Sequence, residues 1–300
     1  MKKILLIMLI VFTMFGCQKA DQLKIIVPFG SPELAQLYLE DSKDYQVDVV
    51  FGPDPLIAAF GSKSHDVIFA PTNLGAKMYQ SNDTYQLLAT VIWGNYFLVS
   101  SKAETFDVAS LNGQEIIVFG QNQTSDIILR YLFTALEIEP TITYIDSLSA
   151  AAASFISFPN QIVLLAEPVY SNIIHQMPST KTIDIQALYQ EVSGFDSYPQ
   201  SGVFIKKGLS QSKIEKIQAD LIDSIQKTNE NPSKAADLAI SLGMGLPKDI
   251  LSSAIINSNI RYVSALDSKD AVEAYFGLIL TINGALIGGK LPIDSFYYGD

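Results

Sequence analysis

Short apolar runs alternate with amphipathic stretches along most of this chain. Leu23-Lys24-Ile25-Ile26-Val27 has the length and apolar density of a buried strand, and Pro28-Phe29-Gly30-Ser31-Pro32 turns it into a helix over roughly 33–39. Ser31 offers an N-cap hydroxyl, and Pro32 suits the first helical position. A second strand is expected at 46–50 and a helix around 55–60. Asp66-Val67-Ile68-Phe69-Ala70 makes a third strand, with a helix start at Thr72-Asn73. Leu87 to Ile92 and Tyr96 to Ser100 read as further strands, separated by Trp93-Gly94-Asn95.

A second unit of the same kind opens after Leu111-Asn112-Gly113. It has strands at 115–119, 141–145 and 161–166, and helices after Thr124, around 149–155 and after Glu167-Pro168. Strands alternating with helices at this spacing predict an α/β class with mostly parallel sheets. From Gln211 the pattern turns helical: Ile214, Ile217, Leu221, Ile222 and Ile225 keep a 3.6-residue period. Pro247 opens another helix, with Ile250, Ala254, Ile255 and Ile260 apolar, and a third runs from Lys269 to about Asn283. This tail is expected to pack on the first unit. The middle unit is then a second lobe, joined by crossings near 101–110 and 198–204, an arrangement suited to hinged closure. The expected organisation is 1–17 as a leader, 18–105 as the first part of lobe 1, 106–200 as lobe 2, and 201–300 as the mostly helical return to lobe 1.

The leader changes the picture of location. Lys2 and Lys3 precede an apolar run from Ile4 to Phe15, too short to cross a bilayer comfortably, and Met14-Phe15-Gly16-Cys17 closes it before polar residues. Cys17 is the only cysteine, so no disulfide forms within the chain. The block resembles a bacterial lipoprotein signal, with Met14 where such signals usually carry leucine. The resemblance implies export, lipidation of Cys17 and anchoring to the outer face of the bacterial cell membrane. An ordinary secretory signal with an incidental cysteine is the alternative. No later segment is expected to span a membrane.

Charge narrows the possible partners. A formal net charge of -11, without a clustered basic segment, does not fit a nucleic-acid binder. Arg130 and Arg261 are the only arginines, so a ligand held by several guanidinium clamps is not expected. His65 and His175 lie far apart and outside any helical metal-binding motif, and there is no Gly-x-Ser-x-Gly elbow, phosphate-binding glycine loop or paired-cysteine site. No catalytic residue, cofactor or metal is therefore expected.

Several segments, in this order, resemble substrate-binding proteins of ABC importers, in the branch that takes nitrate, sulfonates and thiamine precursors. They are Val49-Val50-Phe51-Gly52, Asp66 through Ala76, Leu88 through Asn95, Gly113 through Thr124, Glu167-Pro168 and Gly288-Gly289-Lys290-Leu291-Pro292. The resemblance spans the mature chain and implies a two-lobed, type II periplasmic-binding-protein-like fold. It also implies an ABC permease, with its ATPase, as partner. A precursor-synthesis enzyme of the same fold would need a reactive residue such as a cleft histidine, and a surface lipoprotein with another role would have a blocked cleft.

In such a fold the ligand sits at the carboxyl ends of the strands. That selects Ser31, Thr72, Asn73, Trp93 and Gly94 in the first lobe. In the second it selects Gln123, Thr124 and Glu167, with Ser201 at the return crossing. Each Ser or Thr at a helix start either meets the ligand or caps its helix. Trp93 either stacks on a flat ligand or packs between loop and core, and Glu167 either accepts from an amine or caps the next helix. Tyr170 and Phe195 are secondary apolar candidates. The side-chain inventory favours a small aromatic or heterocyclic nutrient, such as a thiamine-precursor-like pyrimidine, over a sulfonate or nitrate-like anion held by backbone amides.

Overall fold

The alternating runs form two separate sheets in the computed structural model, which describes residues 22–102 and 105–299. Cys17 and the leader lie outside the described residues. The first lobe begins with β1 (Leu23–Pro28), α1 (Ser31–Ala35), α2 (Leu37–Glu40), β2 (Tyr45–Val50), α3 (Asp54–Ser62), β3 (Val67–Pro71), α4 (Thr72–Asn82) and β4 (Tyr85–Ile92). The second lobe holds β5 (Tyr96–Ser100), β6 (Glu115–Phe119), α5 (Thr124–Ala135), β7 (Thr141–Ile145), α6 (Leu148–Ser157), β8 (Ile162–Ala166), α7 (Val169–Gln176), β9 (Lys181–Asp184) and α8 (Ile185–Ser193). The chain then returns through β10 (Ser201–Lys206), α9 (Gln211–Glu230), α10 (Pro232–Ser241), α11 (Lys248–Asn257), β11 (Ile260–Ser264) and α12 (Lys269–Asn283).

The first sheet has the order β11-β4-β10-β3-β1-β2, and the second β7-β6-β8-β5-β9. β1 is parallel to β2 and β3, and β6 is parallel to β7 and β8. β10 is antiparallel to β3 and β4, and β5 to β8 and β9. The sheets are therefore mixed, where the sequence pattern predicts mostly parallel ones. The reason is directional: β5 and β10 enter their sheets from the junction at which the parallel strands end. Because β5 pairs in the second sheet, the first crossing falls at 93–95, upstream of the expected 101–110, and lobe 2 starts earlier than residue 106.

The helical return packs on the first sheet. Ile214, Ile217, Leu221 and Ile225 of α9 enter one core with Leu34, Leu37, Val91 and Val203, while Ile222 at the stripe's edge is exposed. Each buried aliphatic side chain of this kind contributes about 1.5–3 kcal/mol of transfer free energy. On the same stripe Ser224 and Thr228 donate to the carbonyls of Ala35 and Leu34, so no buried hydroxyl is left unpaired there. Ile260, expected on a helix, instead begins β11, which pairs with β4.

The segment Lys269–Ile287 is long and apolar enough to cross a membrane by length and composition, with mean hydropathy 1.3, which the sequence reading did not anticipate. Its Val272, Tyr275, Phe276 and Ile279 are buried in a core shared with Ile68 and Leu87 of the first lobe and Ile127 and Ile128 of the second. A continuous apolar core thus runs beneath the junction of the lobes.

Candidate ligand-binding cleft

A cavity of about 470 Å³ lies between the lobes. Its walls are the ends of β1, β2 and β3 on one side and of β6, β7 and β8 on the other. Phe29-Gly30-Ser31, Phe51-Gly52-Pro53 and Pro71 form the first wall. Phe119-Gly120, Gln123-Thr124, Asp146 to Ser149 and Ala166-Glu167 form the second. Asn95-Tyr96 and Gln200-Ser201, from the two crossings, make the floor. A second cavity of about 480 Å³ lies at the opposite end of the second sheet, around Lys102, Gln114 and Phe158. Only the first gathers strand ends from both lobes, so the candidate site is assigned there.

Of the residues expected from sequence, Ser31, Gln123, Thr124, Glu167 and Ser201 line this cavity, and Thr72, Asn73, Trp93 and Gly94 do not. Thr72 is buried and donates its hydroxyl to the Pro199 carbonyl. Asn73 is held behind the wall, where its Oδ1 accepts from the Thr124 hydroxyl across the lobe junction, 3.4 Å away. Trp93 is covered by the guanidinium of Arg261, 4.5 Å from the ring centroid, and its backbone N–H donates to Asn259. β11 thus covers one face of a Trp93 ring that is already buried. Gly94 has φ of 80°, and Gln186, Ser197 and Tyr198 close around it, so its neighbour Asn95 reaches the cavity instead. Tyr170 is stacked on Phe97, with centroids 3.9 Å apart, and neither it nor Phe195 lines the cavity.

The helix starts also differ from expectation. Gly30, at φ 115° and ψ -145°, is the N-cap of α1, a backbone region essentially restricted to glycine. Ser31 is consequently the first helical residue, and its hydroxyl is free for tertiary bonding. Gln200 Nε2 donates to Asn95 Oδ1 at 2.8 Å, Asn95 Nδ2 donates to Ser31 Oγ at 2.7 Å, and Ser31 meets Ser258 Oγ at 2.8 Å. This chain ties both crossings to the first cavity wall and to the end of α11. Next to it, Asn259 Nδ2 donates to the Gly94 carbonyl and Asn257 Nδ2 to Ser171 Oγ. Three successive side chains of one turn therefore touch the second lobe, the cavity wall and the crossing. Gln200, Tyr96, Phe51 and Asp146 were not singled out from sequence. Applying the strand-end rule to β2 and β7 as well would have found Phe51 and Asp146.

The electrostatics of the cavity are one-sided. Among the described residues no Lys, Arg or His lines it, whereas Asp146 and Glu167 do. Arg130 is committed to Asp126 through two bonds of 3.0 and 2.9 Å, and Tyr144 donates to the same carboxylate. Burial holds the Glu167 carboxyl above its ordinary range, partly offset by bonds from the Ser171 hydroxyl and amide and from Asn257. His65 is bonded to Ser64 and Asp48 at the amino end of β3, the end away from the cavity, and His175 pairs with Asp249. Among the described residues no group of three or more His, Cys, Asp or Glu is placed to hold a metal ion.

Behind the first wall, Glu33 is buried, and desolvation together with the nearby Glu40 pushes its carboxyl up to about 7, against a backbone bond from Gly30. The folded state therefore prefers the proton more strongly than the unfolded chain does. The corresponding stability is complete below about pH 4.5 and is lost as pH rises through about 7. Glu33→Gln is expected to remove this decline, gaining roughly 3 kcal/mol on the parent between pH 4.5 and 8. Urea midpoints of both proteins across that range check it, and parallel profiles would refute the assignment.

No protein-family model matches this sequence, and no curated protein matches it. Solved structures do. An ABC transporter structure from Parabacteroides distasonis is 22% identical, with a TM-score of 0.82 over 92% of this chain and 98% of that one. The periplasmic aliphatic sulphonate binding protein SsuA from Escherichia coli is 14% identical, with a TM-score of 0.73 over 92% and 97% of the two chains. A ligand-binding component of an ABC-type import system from Staphylococcus aureus, with zinc bound, is 14% identical, with a TM-score of 0.68 over 92% and 96%. Likeness at these identities establishes the fold. Together with the strand order β2-β1-β3-β10-β4, it makes this chain a two-lobed α/β protein of the periplasmic-binding-protein type II arrangement.

Proposed function

We propose that this chain is the exported solute-binding component of an ABC importer, anchored through Cys17 and capturing a small aromatic or heterocyclic nutrient for a membrane permease. The observation that carries the reading is the cavity between two lobes, lined by the ends of six strands and floored by two short crossings. Gln200 donates its backbone N–H to the Ile92 carbonyl, so the crossings move as one hinge. Besides the apolar core beneath the junction, the lobes meet through Asn73 and Thr124, Ser171 and Asn257, and His175 and Asp249. The exposed His175–Asp249 pair is one that opening would exchange for water at small cost. Binding then needs no chemistry. The ligand shifts the population towards the closed form by its greater affinity for it.

Likeness to ABC-system components supports the transport role. The aromatic lining, with Phe29 and Phe51 stacked 5.0 Å apart, supports a flat apolar ligand. A sulfonate or nitrate-like anion is the second reading, favoured by the likeness to the Escherichia coli sulphonate-binding protein and by the start of α5, which has no side-chain cap.

Titration of the purified chain with pyrimidines, sulfonates and nitrate, followed by tryptophan emission and small-angle scattering, tests the proposal. Trp93 lies on the crossing beneath Arg261, so its emission is expected to report hinge motion rather than stacking. Saturable binding with a decrease in radius of gyration is the expected result. Absence of both for every small molecule tried would end the transport reading.

A further inference from the structure

The hydroxyl donors around the cavity floor are already used by the protein. Ser258 gives its hydroxyl hydrogen to the Ala254 carbonyl, so the Ser31 hydroxyl is the donor in the bond between them. Thr124 donates to Asn73 Oδ1, and Ser201 donates to the Ala70 carbonyl. Gln200 and Asn95 each spend an amide hydrogen within the chain that ends at Ser31. Each of these amides keeps a second hydrogen, and the floor also holds an acceptor that nothing satisfies. Gln200 Oε1 is buried without a partner, although its residue lines the cavity. An orphaned acceptor in such a position calls for an incoming donor.

The carboxyl groups extend this pattern. Glu167 is 2% exposed and faces the cavity from the end of β8, while Asp146 reaches it from the end of β7. The Ser171 hydroxyl and amide and the Asn257 amide occupy three acceptor sites on Glu167, and a carboxylate offers about four in all. Among the described residues no cationic side chain lines the cavity to balance an anionic ligand. The apolar remainder is aromatic: Phe51 is 74% exposed at the mouth and stacked on Phe29, and Tyr96 meets Phe119 edge to face deeper in. An exposed phenyl ring beside a cavity is a platform for a planar guest.

We infer that the solute is a small flat ring bearing an amino or ammonium group, which donates to Gln200, Glu167 and Asp146, and that the cleft rejects sulfonates, nitrate and other anions. The inference rests on the solute-binding reading and narrows its ligand class. A protonated amine would meet the two carboxylates in charge-assisted bonds. A sulfonate would lose its water beside two carboxyl groups, with no cationic side chain among the described residues of the wall to offset them. The fold of a sulfonate binder is thereby turned to the opposite charge by the residues at its strand ends.

Calorimetric titration with 4-aminopyrimidine, pyrimidine, benzylamine, benzyl alcohol, benzenesulfonate and nitrate tests the inference. The aminated member of each pair is expected to bind roughly 10- to 100-fold more tightly than its amine-free partner, with no binding of either anion. Glu167→Gln, which keeps the side-chain shape, should weaken the aminated probes by roughly tenfold or more. Asp146→Asn, at an exposed rim position, should weaken benzylamine without altering the melting temperature. Tighter binding of benzenesulfonate or nitrate, or equal affinity within each pair, overturns the inference and leaves the solute-binding reading standing. Failure of all six probes to bind, with no closure in scattering, overturns both.

Discussion

Replacing Gln186 with leucine is expected to lower the folding free energy by about 2–5 kcal/mol, because one acceptor leaves two buried donors behind. Gln186 Oε1 accepts from the Tyr96 backbone N–H at 2.8 Å and from the Tyr198 hydroxyl at 2.7 Å. Tyr96 opens the strand after the first crossing, and Tyr198 belongs to the second, so this carbonyl staples both to α8. Tyr198 is fully buried and Tyr96 nearly so, and water cannot replace the lost bonds. Urea unfolding should show a lower midpoint at unchanged slope. Tyr198→Phe provides the control. Alone it removes one bond and leaves Gln186 paired with Tyr96. In the Gln186→Leu background it removes an orphaned hydroxyl and should recover part of the loss. A Gln186→Leu cost below about 1 kcal/mol would show that the staple is not under load.

Gly94→Ala is the second large effect, expected to cost about 2–4 kcal/mol. Two terms add. The φ of 80° lies where an L side chain is strained, and an added Cβ would stand 2.6 Å from Gln186 Cγ, 2.8 Å from Ser197 Oγ and 2.9 Å from Tyr198 Cζ. Gly113→Ala separates them, since Gly113 has φ of 69° and nothing within 4 Å of the added atom. The excess cost at Gly94 over Gly113, about 1–3 kcal/mol, measures the packing term. Equal costs would mean that the crossing can move aside. Because Gly94 sits at the hinge, its substitution should also slow closure, seen as a lower association rate with any solute that binds.

Much of the framework was legible along the chain because the physics behind it is local. β1, β3, β6 and β8 are apolar runs buried on both faces, and their loops end in helix starts. Those two facts place a cavity at strand ends without any tertiary information, and they bring Ser31, Gln123, Thr124 and Glu167 to it. Trp93 resisted the same reasoning. Its loop position suits a stacking platform, and only the remote Asn259 and Arg261, some 170 residues further on, decide that its face is already covered. Asn95 and Gln200 were opaque for a related reason: their role is a bond between two crossings 105 residues apart.

The strand–loop–helix order, the helical period of the return and the short apolar run before Cys17 are written in neighbouring residues. Strand direction, the sheet that β5 joins and the lining of the cleft are not. They depend on which distant segments share one volume, and on which hydrogen atoms those segments have already claimed. The scarcity of arginine was visible from composition. That Arg130 answers Asp126 and Arg261 covers Trp93, leaving a cavity with no cationic side chain among the described residues, was settled by tertiary packing. Charge is counted along a chain, but a binding field exists only where side chains converge.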